Sequence, residues 1–129
     1  MHRAELLEEI AGRYGVAAEY PWRRYPQYAV FRHAGNRKWF AVLMNPPGRK
    51  LGLATEDEVA ILNVKIRAGE NSLLRGMDGV LPAYHMNKEH WVSLRLDVLP
   101  DATLLDLLAD SYDLTRAKIR HKLPSSDLL

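Results

Sequence analysis

The residues best suited to chemistry lie close together between positions 84 and 91, where two histidines accompany a tyrosine and a tryptophan. His85 and His90 could bind a metal, because imidazole is a common zinc ligand. A zinc site usually takes a third ligand from a neighbouring element, and the sequence places none there. We therefore expect no metal and no other cofactor. The alternative role for both histidines is hydrogen bonding that fixes a hairpin.

His90 could also act as a general base, since a histidine titrates near neutral pH. Its candidate nucleophiles are Ser93 and Ser111. Neither serine lies in a nucleophile-elbow pattern, and the sequence contains no oxyanion loop, Gly-rich phosphate loop, HExxH motif or cysteine pair. No catalytic residue is predicted, and we expect a binding protein rather than an enzyme.

The same segment contains residues that suit nucleic acid. Tyr84 and Trp91 could stack on bases, or could lock a sheet to its helices as large aromatic residues often do. Lys65 and Lys88 could contact phosphates, and Asn87 could hydrogen-bond a base edge or form a turn. Polar and aromatic side chains are denser here than a turn requires, which indicates a functional surface without identifying its ligand.

The elements that must position these residues follow from hydrophobic spacing and turn residues. Apolar residues recur at helical spacing over 3–14, before Gly15. Gly35-Asn36 predicts a tight turn, because both residues tolerate positive φ. Asp101 is a plausible N-cap for a last helix. The other predicted elements are strands at 28–34, 37–44 and 59–67, a short helix at 69–77, a hairpin of 80–85 and 89–98 around Asn87-Lys88, and a last helix reaching about Lys122 before Pro124.

This order predicts an α+β fold, arranged as helix, two or three strands, helix, two strands and helix. Strict alternation in two strands predicts an antiparallel sheet whose helices lie mainly on one face, in a two-layer sandwich. The residues expected to be buried on that face are Leu62, Val64, Ile66, Val92, Leu94 and Leu96. The opposite face is expected to be polar and basic and to expose Asn63, Lys65 and Arg95, with Arg67, Trp91 and Ser93. It could bind phosphates or be an ordinary solvated surface.

Composition favours one folded domain over residues 1–129. The chain has 47% hydrophobic residues, no cysteine and a net charge of +2. The first fifty residues contain nine Lys and Arg and four Asp and Glu, so this basic segment could contact an anionic partner. Alternatively, folding could bring it together with the acidic residues 51–129 and give a nearly neutral surface. The start resembles no signal peptide, and no apolar run could span a bilayer. We expect a cytoplasmic protein with no membrane contact.

The segment Pro82-Ala83-Tyr84-His85-Met86-Asn87-Lys88-Glu89-His90-Trp91 resembles the P-G-Y-H-M-N-K-x-H-W signature of the MmcQ/YjbR family. Nearly the whole chain shares the resemblance, through Tyr20-Pro21, Val30-Phe31, Trp39-Phe40-Ala41, Asn63-Val64-Lys65, Leu96-Asp97 and Ser111-Tyr112-Asp113-Leu114. The resemblance implies a fold similar to secretion chaperones and frataxin-like proteins, sometimes described as a double-wing DNA-binding motif with the two hairpins as wings. Ala83 stands where glycine is usual, and Glu89 replaces a common basic residue.

Together these observations predict a non-enzymatic module that binds DNA or another nucleic acid. Its predicted binding residues are Lys65, Tyr84, His85, Asn87, Lys88, His90, Trp91 and Arg95. The alternative is a protein-interaction or chaperone-like module that uses the same sheet face. The salt dependence of the affinity distinguishes the two functions. Phosphate contacts release counterions, so affinity for nucleic acid falls as salt rises, whereas affinity at an apolar protein interface changes little. The sequence predicts neither the oligomeric state nor the identity of the partner.

Overall fold

A computed structural model describes residues 1–117 of the chain. It contains five strands and three helices in the predicted order. They are α1 (Arg3–Tyr14), β1 (Ala29–Arg32), β2 (Trp39–Met44), β3 (Ile61–Lys65), α2 (Asn71–Leu74), β4 (Val80–Pro82), β5 (Trp91–Arg95) and α3 (Asp101–Thr115), with a 3-10 turn at Gly48–Leu51 between β2 and β3. The strands form one antiparallel sheet in the order β1-β2-β3-β5-β4. The predicted α+β fold is confirmed.

The helix ends differ from the predictions in detail. Helix α1 ends as predicted at Gly15, which is left-handed at φ 64° and donates its N–H to the carbonyl of Ala11. Pro100 rather than Asp101 is the N-cap of α3, and Asp101 instead forms an ion pair with the N-terminal ammonium group at 3.1 Å. Helix α3 ends at Thr115, and most of the predicted stretch up to Lys122 lies outside the described residues.

The main core lies between the sheet and the helices. Leu6 and Ile10 of α1 and Leu104 and Leu108 of α3 are fully buried there. They pack with all six side chains that alternation assigned to this face. The prediction for the helical face is therefore confirmed. Alternation in a strand determines which side chains share a face, and the apolar set selects the face that the helices cover.

The prediction for the opposite face is wrong in one important respect. Asn63 and Ser93 are 0% exposed, while Lys65 and Arg95 are half-buried. A second apolar cluster covers much of this face, and loop residues contribute heavily to it. Its buried and half-buried members are Tyr28, Val30, Val42, Met44, Val59, Ile61, Trp22, Trp39, Leu51, Leu53, Tyr84 and Met86. Five members lie in β1, β2 and β3, and the other seven come from segments outside the strands, which strand alternation could not reveal.

An isolated bridge anchors the segment that precedes β1. The backbone N–H of Glu19 donates to the carbonyl of Val30 at 2.9 Å, and the N–H of Val30 donates back at 2.8 Å. Arg32 and Arg37 lie against the Glu19 carboxylate at 3.4 and 3.2 Å. The aromatic segment, which we define as residues 20–28, therefore leaves the sheet edge and returns to it.

A buried hydroxyl joins α3 to a break in the sheet. The pairing of β1 with β2 contains a β-bulge at Phe31/Arg32. The break lies between β2 and β3, whose pairing ends at Ala41 and Val64. The next pair along these strands would be Phe40 and Lys65. Instead, Ser111 Oγ accepts the N–H of Lys65 at 2.8 Å and donates to the carbonyl of Phe40 at 2.6 Å. A side chain thus supplies the hydrogen bonds that the strands do not make with each other.

The β1–β2 turn is fastened to the end of α3. The turn covers residues 34–36, so Gly35 and Asn36 lie in it as predicted, but the positive φ, 62°, belongs to the next residue, Arg37. Asn36 donates its side-chain amide to the carbonyl of Thr115 at 2.9 Å. The buried ring of His33 bonds Thr115 Oγ1 at 2.8 Å, and that hydroxyl also donates to the carbonyl of Ser111.

Acidification is expected to destabilise the fold through His33. Burial lowers the pKa of this histidine, so its stabilising contribution is complete above the unfolded value of about 6.5 and is lost as pH falls below it. Urea unfolding between neutral pH and about pH 5 should show a decreasing free energy of unfolding in the parent and a flatter profile in His33→Gln. His90→Gln, which changes an exposed histidine, should keep the parent's profile. Identical pH slopes in all three proteins would contradict this assignment.

Candidate functional site

The signature loop, defined as residues 83–90, folds back onto the second face of the sheet and is held by buried polar side chains. Asn63 Nδ2 donates to the carbonyl of Tyr84 at 2.8 Å, and Ser93 Oγ accepts the N–H of Tyr84 at 2.9 Å. Ser93 Oγ also donates to Asn63 Oδ1 at 2.5 Å. Asn63 and Ser93 face each other on β3 and β5. The two strands therefore fix the backbone of the loop at Tyr84.

At the apex of this loop, three predicted binding residues make bonds within the fold. Asn87 Oδ1 accepts the N–H groups of Glu89 and His90 at 2.8 and 3.1 Å, as turn-forming asparagines do. Lys88 Nζ donates to the carbonyl of Ala83 at 2.9 Å. The carbonyl of exposed His90 accepts the N–H of Ile66 at 2.9 Å.

Helix α2 holds the apex from the side. Arg75 donates to the carbonyl of Lys88 at 2.9 Å, and Asn71 bonds the same oxygen. These contacts connect the apex to α2, and the bond from Ile66 connects it to the residue that follows β3, so the apex is anchored to the domain at both places.

The other three predicted cations and aromatics lie along β3 and β5. Half-buried Lys65 and Trp91 are directly opposite each other in these strands. Arg95 forms a bidentate pair with Asp97, at 3.0 and 2.8 Å. Their hydrogen bonding raises the pKa of Arg95 and lowers the pKa of Asp97. The charge of Arg95 is therefore already matched by a carboxylate.

His85 occupies a special place in the loop. It is exposed and has a left-handed φ of 57°, which is uncommon for a residue with a side chain. Its ring lies 3.9 Å from that of Tyr84, centroid to centroid. His85 lines an aromatic pocket of about 290 Å³ on the second face of the sheet. The signature loop thus contributes to this pocket through His85.

Most of the aromatic pocket comes from residues that are not among the predicted binding residues. Its lining residues besides His85 are Trp22, Tyr25, Tyr28, Trp39 and Met44. The first three belong to the aromatic segment, whose sequence YPWRRYPQY interleaves four aromatic residues with two arginines. Such interleaving is a recognisable signal for binding single-stranded nucleic acid, and it could have identified the segment.

A second, more polar cavity of about 300 Å³ shares Tyr25 and Tyr28 with the aromatic pocket. Arg24, Gln27, Asn45 and Glu58 are among its other lining residues. Asn45 Nδ2 donates to both Gln27 Oε1 and Glu58 Oε1, at 2.9 and 2.8 Å. Burial raises the pKa of Tyr28, which lines both cavities, to about 12.

The two arginines of the aromatic segment differ from the other cations nearby. Arg23 and Arg24 are exposed, and neither has an ion-pair partner among residues 1–117. Arg32, in contrast, is paired with Glu19, and its guanidinium carbon lies 5.4 Å from the centroid of the Trp39 ring. Because Arg24 also lines the polar cavity that adjoins the aromatic pocket, unpaired positive charge lies next to that cavity.

Within the part of the chain that the structure describes, no group of three or more His, Asp or Glu side chains is arranged to hold a metal ion. His85 and His90 do not gain a third ligand there. Over the same residues, none of the helices combines the length and apolar character that crossing a bilayer would require.

The YjbR family model matches residues 11–114. The chain is 38% identical to the uncharacterized protein YyaQ of Bacillus subtilis over 115 residues, which cover 88% of this chain and 98% of YyaQ. It is 30% identical to the uncharacterized protein YbdF of Escherichia coli O157:H7, covering 85% and 84% of the two chains. A Pseudomonas syringae protein of known crystal structure is similar in fold, with a TM-score of 0.88, 38% identity and coverage of 90% and 100%. The chain therefore belongs to the YjbR family.

Proposed function

We propose that this domain is a cytoplasmic, non-enzymatic module that binds nucleic acid through the second face of its sheet. The observation that carries the proposal is the placement of the aromatic segment on that face, where its rings line the aromatic pocket, Arg24 lines the adjoining cavity, and Arg23 is exposed next to Arg24 in the chain. Cationic side chains attract the phosphate backbone, and aromatic side chains stack on bases.

The binding surface differs from the one suggested by the signature alone. Tyr84 and His85 stay in the proposed site beside the aromatic pocket, and Lys65 and Trp91 extend it along the strands. The bonds made by Asn87, Lys88, His90 and Arg95 within the fold favour a supporting role for these four residues.

Binding without catalysis is supported by the serines that were candidate nucleophiles. Ser111 and Ser93 are both 0% exposed, and each hydroxyl is committed to bonds inside the fold. A nucleophile must be within reach of its base and its substrate, which favours binding as the function of this face.

Removing the two unpaired arginines is expected to weaken salt-sensitive binding. Each phosphate contact on a single strand contributes about 0.7 to the slope of log affinity against log salt, so the double variant Arg23→Ala/Arg24→Ala should lose about 1.4 from that slope. Fluorescence anisotropy with a labelled single-stranded oligonucleotide at several salt concentrations measures it. Both arginines are exposed, so stability should change by less than about 0.5 kcal/mol for each.

Arg13→Ala provides the matched control. Arg13 is exposed on α1, in the helical layer, and pairs with Glu9 at 2.7 Å. Its removal changes the net charge in the same direction and should leave the salt slope unchanged. A slope that responds equally to all arginine removals would indicate a general charge effect and would argue against the proposed surface.

Protein interaction is a second candidate, favoured by apolar exposure near α2. Leu73 is 77% exposed and Met77 is 38% exposed. A protein partner using this surface would bind with little salt dependence, and Leu73→Ser would weaken it while the arginine variants would not. Nucleic-acid binding would be supported if binding fell steeply with salt and was weakened by the arginine variants but not by Leu73→Ser.

A further inference from the structure

The aromatic pocket is built from three separate parts of the chain. The aromatic segment supplies Trp22, Tyr25 and Tyr28, strand β2 supplies Trp39 and Met44, and the signature loop supplies His85. Several of these side chains are only partly covered by protein: Tyr25 is 46% exposed, and Trp22 and Trp39 are half-buried. Aromatic surface is thus left accessible in a concave site.

The rings around this space pack against one another both edge-to-face and stacked. Trp22 is nearly perpendicular to Trp39, at 85° with centroids 5.8 Å apart, and to Tyr28, at 78° and 6.4 Å. Tyr25 stacks on Tyr28 at 13° and 4.6 Å. Because aromatic groups prefer offset stacking and edge-to-face contact, this arrangement suits a flat aromatic guest.

The charges around the pocket discriminate among possible guests. Arg24 lines the adjoining cavity, and Arg23 precedes it in the chain. Arg32 lies against the Trp39 ring. Glu58 supplies negative charge in the adjoining cavity, but its carboxylate accepts a hydrogen bond from Asn45. A cationic guest would meet these arginines, whereas a flat guest attached to phosphate would be attracted by them.

We infer that the aromatic pocket receives one unpaired nucleobase, while Arg23 and Arg24 contact the phosphates attached to it. This inference rests on the proposed function and adds a preference for unpaired bases. A base inside a duplex is paired and stacked on its neighbours, so it is not available to the pocket unless the strand opens. The group that the pocket would recognise is a heteroaromatic base linked to phosphate. Both a single strand and a free nucleotide contain this group.

Tyr25→Ala is the test variant, because Tyr25 is the most exposed tyrosine or tryptophan of the pocket and belongs to neither apolar core cluster. The probes are a short oligothymidylate, the same oligomer with abasic sites, and thymidine monophosphate. The parent should bind the base-bearing oligomer about 5- to 150-fold more tightly than the abasic one, as stacking of one base requires. Tyr25→Ala should lose most of this difference and bind both oligomers alike.

Two matched variants separate stacking from folding. Tyr25→Phe retains the ring and should preserve the preference for the base-bearing oligomer. Tyr20→Ala removes a tyrosine that is 50% exposed in the same segment and lies outside the pocket lining, and it should also preserve the preference. Thermal unfolding of each variant verifies that it folds, and Trp22 and Trp39 fluorescence should be quenched when the base enters.

The outcomes distinguish the inference from the proposed function. The parent could bind the base-bearing and abasic oligomers equally, while Arg23→Ala/Arg24→Ala still reduces the salt slope. This result would overturn the pocket assignment and would still support nucleic-acid binding. In another outcome, thymidine monophosphate binds saturably, Tyr25→Ala abolishes this binding, and the oligomer binds no more tightly than the monophosphate. This result would support the pocket as a free-nucleotide site and overturn nucleic-acid binding. Failure of all three probes to bind would overturn both.

Discussion

Replacing Ser111 with alanine is expected to lower the free energy of unfolding by about 2–4 kcal/mol, since a buried backbone group left without a partner costs about 1–3 kcal/mol. Two such groups are involved, the N–H of Lys65 and the carbonyl of Phe40. The strands have already separated at this point, so neither group regains its partner when the hydroxyl is removed. Urea unfolding followed by circular dichroism measures the change.

Ser72→Ala is the control for this experiment. Ser72 is exposed in α2 and makes no side-chain hydrogen bond among the described residues. Its replacement should change stability by less than about 0.5 kcal/mol. If Ser111→Ala were as stable as this control, water or a strand shift would have to satisfy both backbone groups, and the hydroxyl would not be the connection between β2 and β3.

Replacing Asn63 with leucine is expected to cost about 2–4 kcal/mol, because it removes two hydrogen bonds from a site with no access to water. The carbonyl of Tyr84 would lose its donor, and Ser93 Oγ would lose its acceptor. Since these bonds hold the signature loop at Tyr84, the loop should also loosen around His85. Hydrogen exchange over residues 83–90 should therefore rise together with the loss of stability in urea.

A double-mutant cycle with Ser93→Ala tests whether the two side chains act together. They are in direct contact, so their coupling free energy should be about 1 kcal/mol or more. In the Asn63→Leu background, Ser93→Ala should therefore cost less than it does in the parent. Additive effects would mean that each side chain supports Tyr84 independently and that no connected network exists.

The sequence revealed one face of this sheet well and the other poorly. Leu62 and Val64 alternate with polar neighbours, and the apolar set does face the helices. The same alternation made Asn63 seem a surface residue, although it is fully buried. A polar side chain in a strand can be solvated or can be buried with its bonds satisfied, and period-two spacing does not separate these states.

The family signature located the loop at residues 83–90 but did not predict which contacts its side chains make. The turn at Asn87 follows from its residue type, because an asparagine side chain readily accepts backbone N–H groups. The contact between Lys88 and the carbonyl of Ala83 depends on how the loop folds back, which no local spacing predicts. The aromatic pocket was missed for a related reason. Trp22 and Trp39 are seventeen positions apart and meet only in the folded chain.

The bridge between Glu19 and Val30 has a consequence for binding. It closes the aromatic segment into a loop whose two ends are held side by side at the edge of the sheet. Part of the conformational entropy of that segment is therefore lost when the protein folds. Under the proposed function, a ligand that enters the aromatic pocket would meet a backbone whose ends are already held, so less of its contact energy would be spent on ordering the protein. Even a shallow site can then retain a useful affinity.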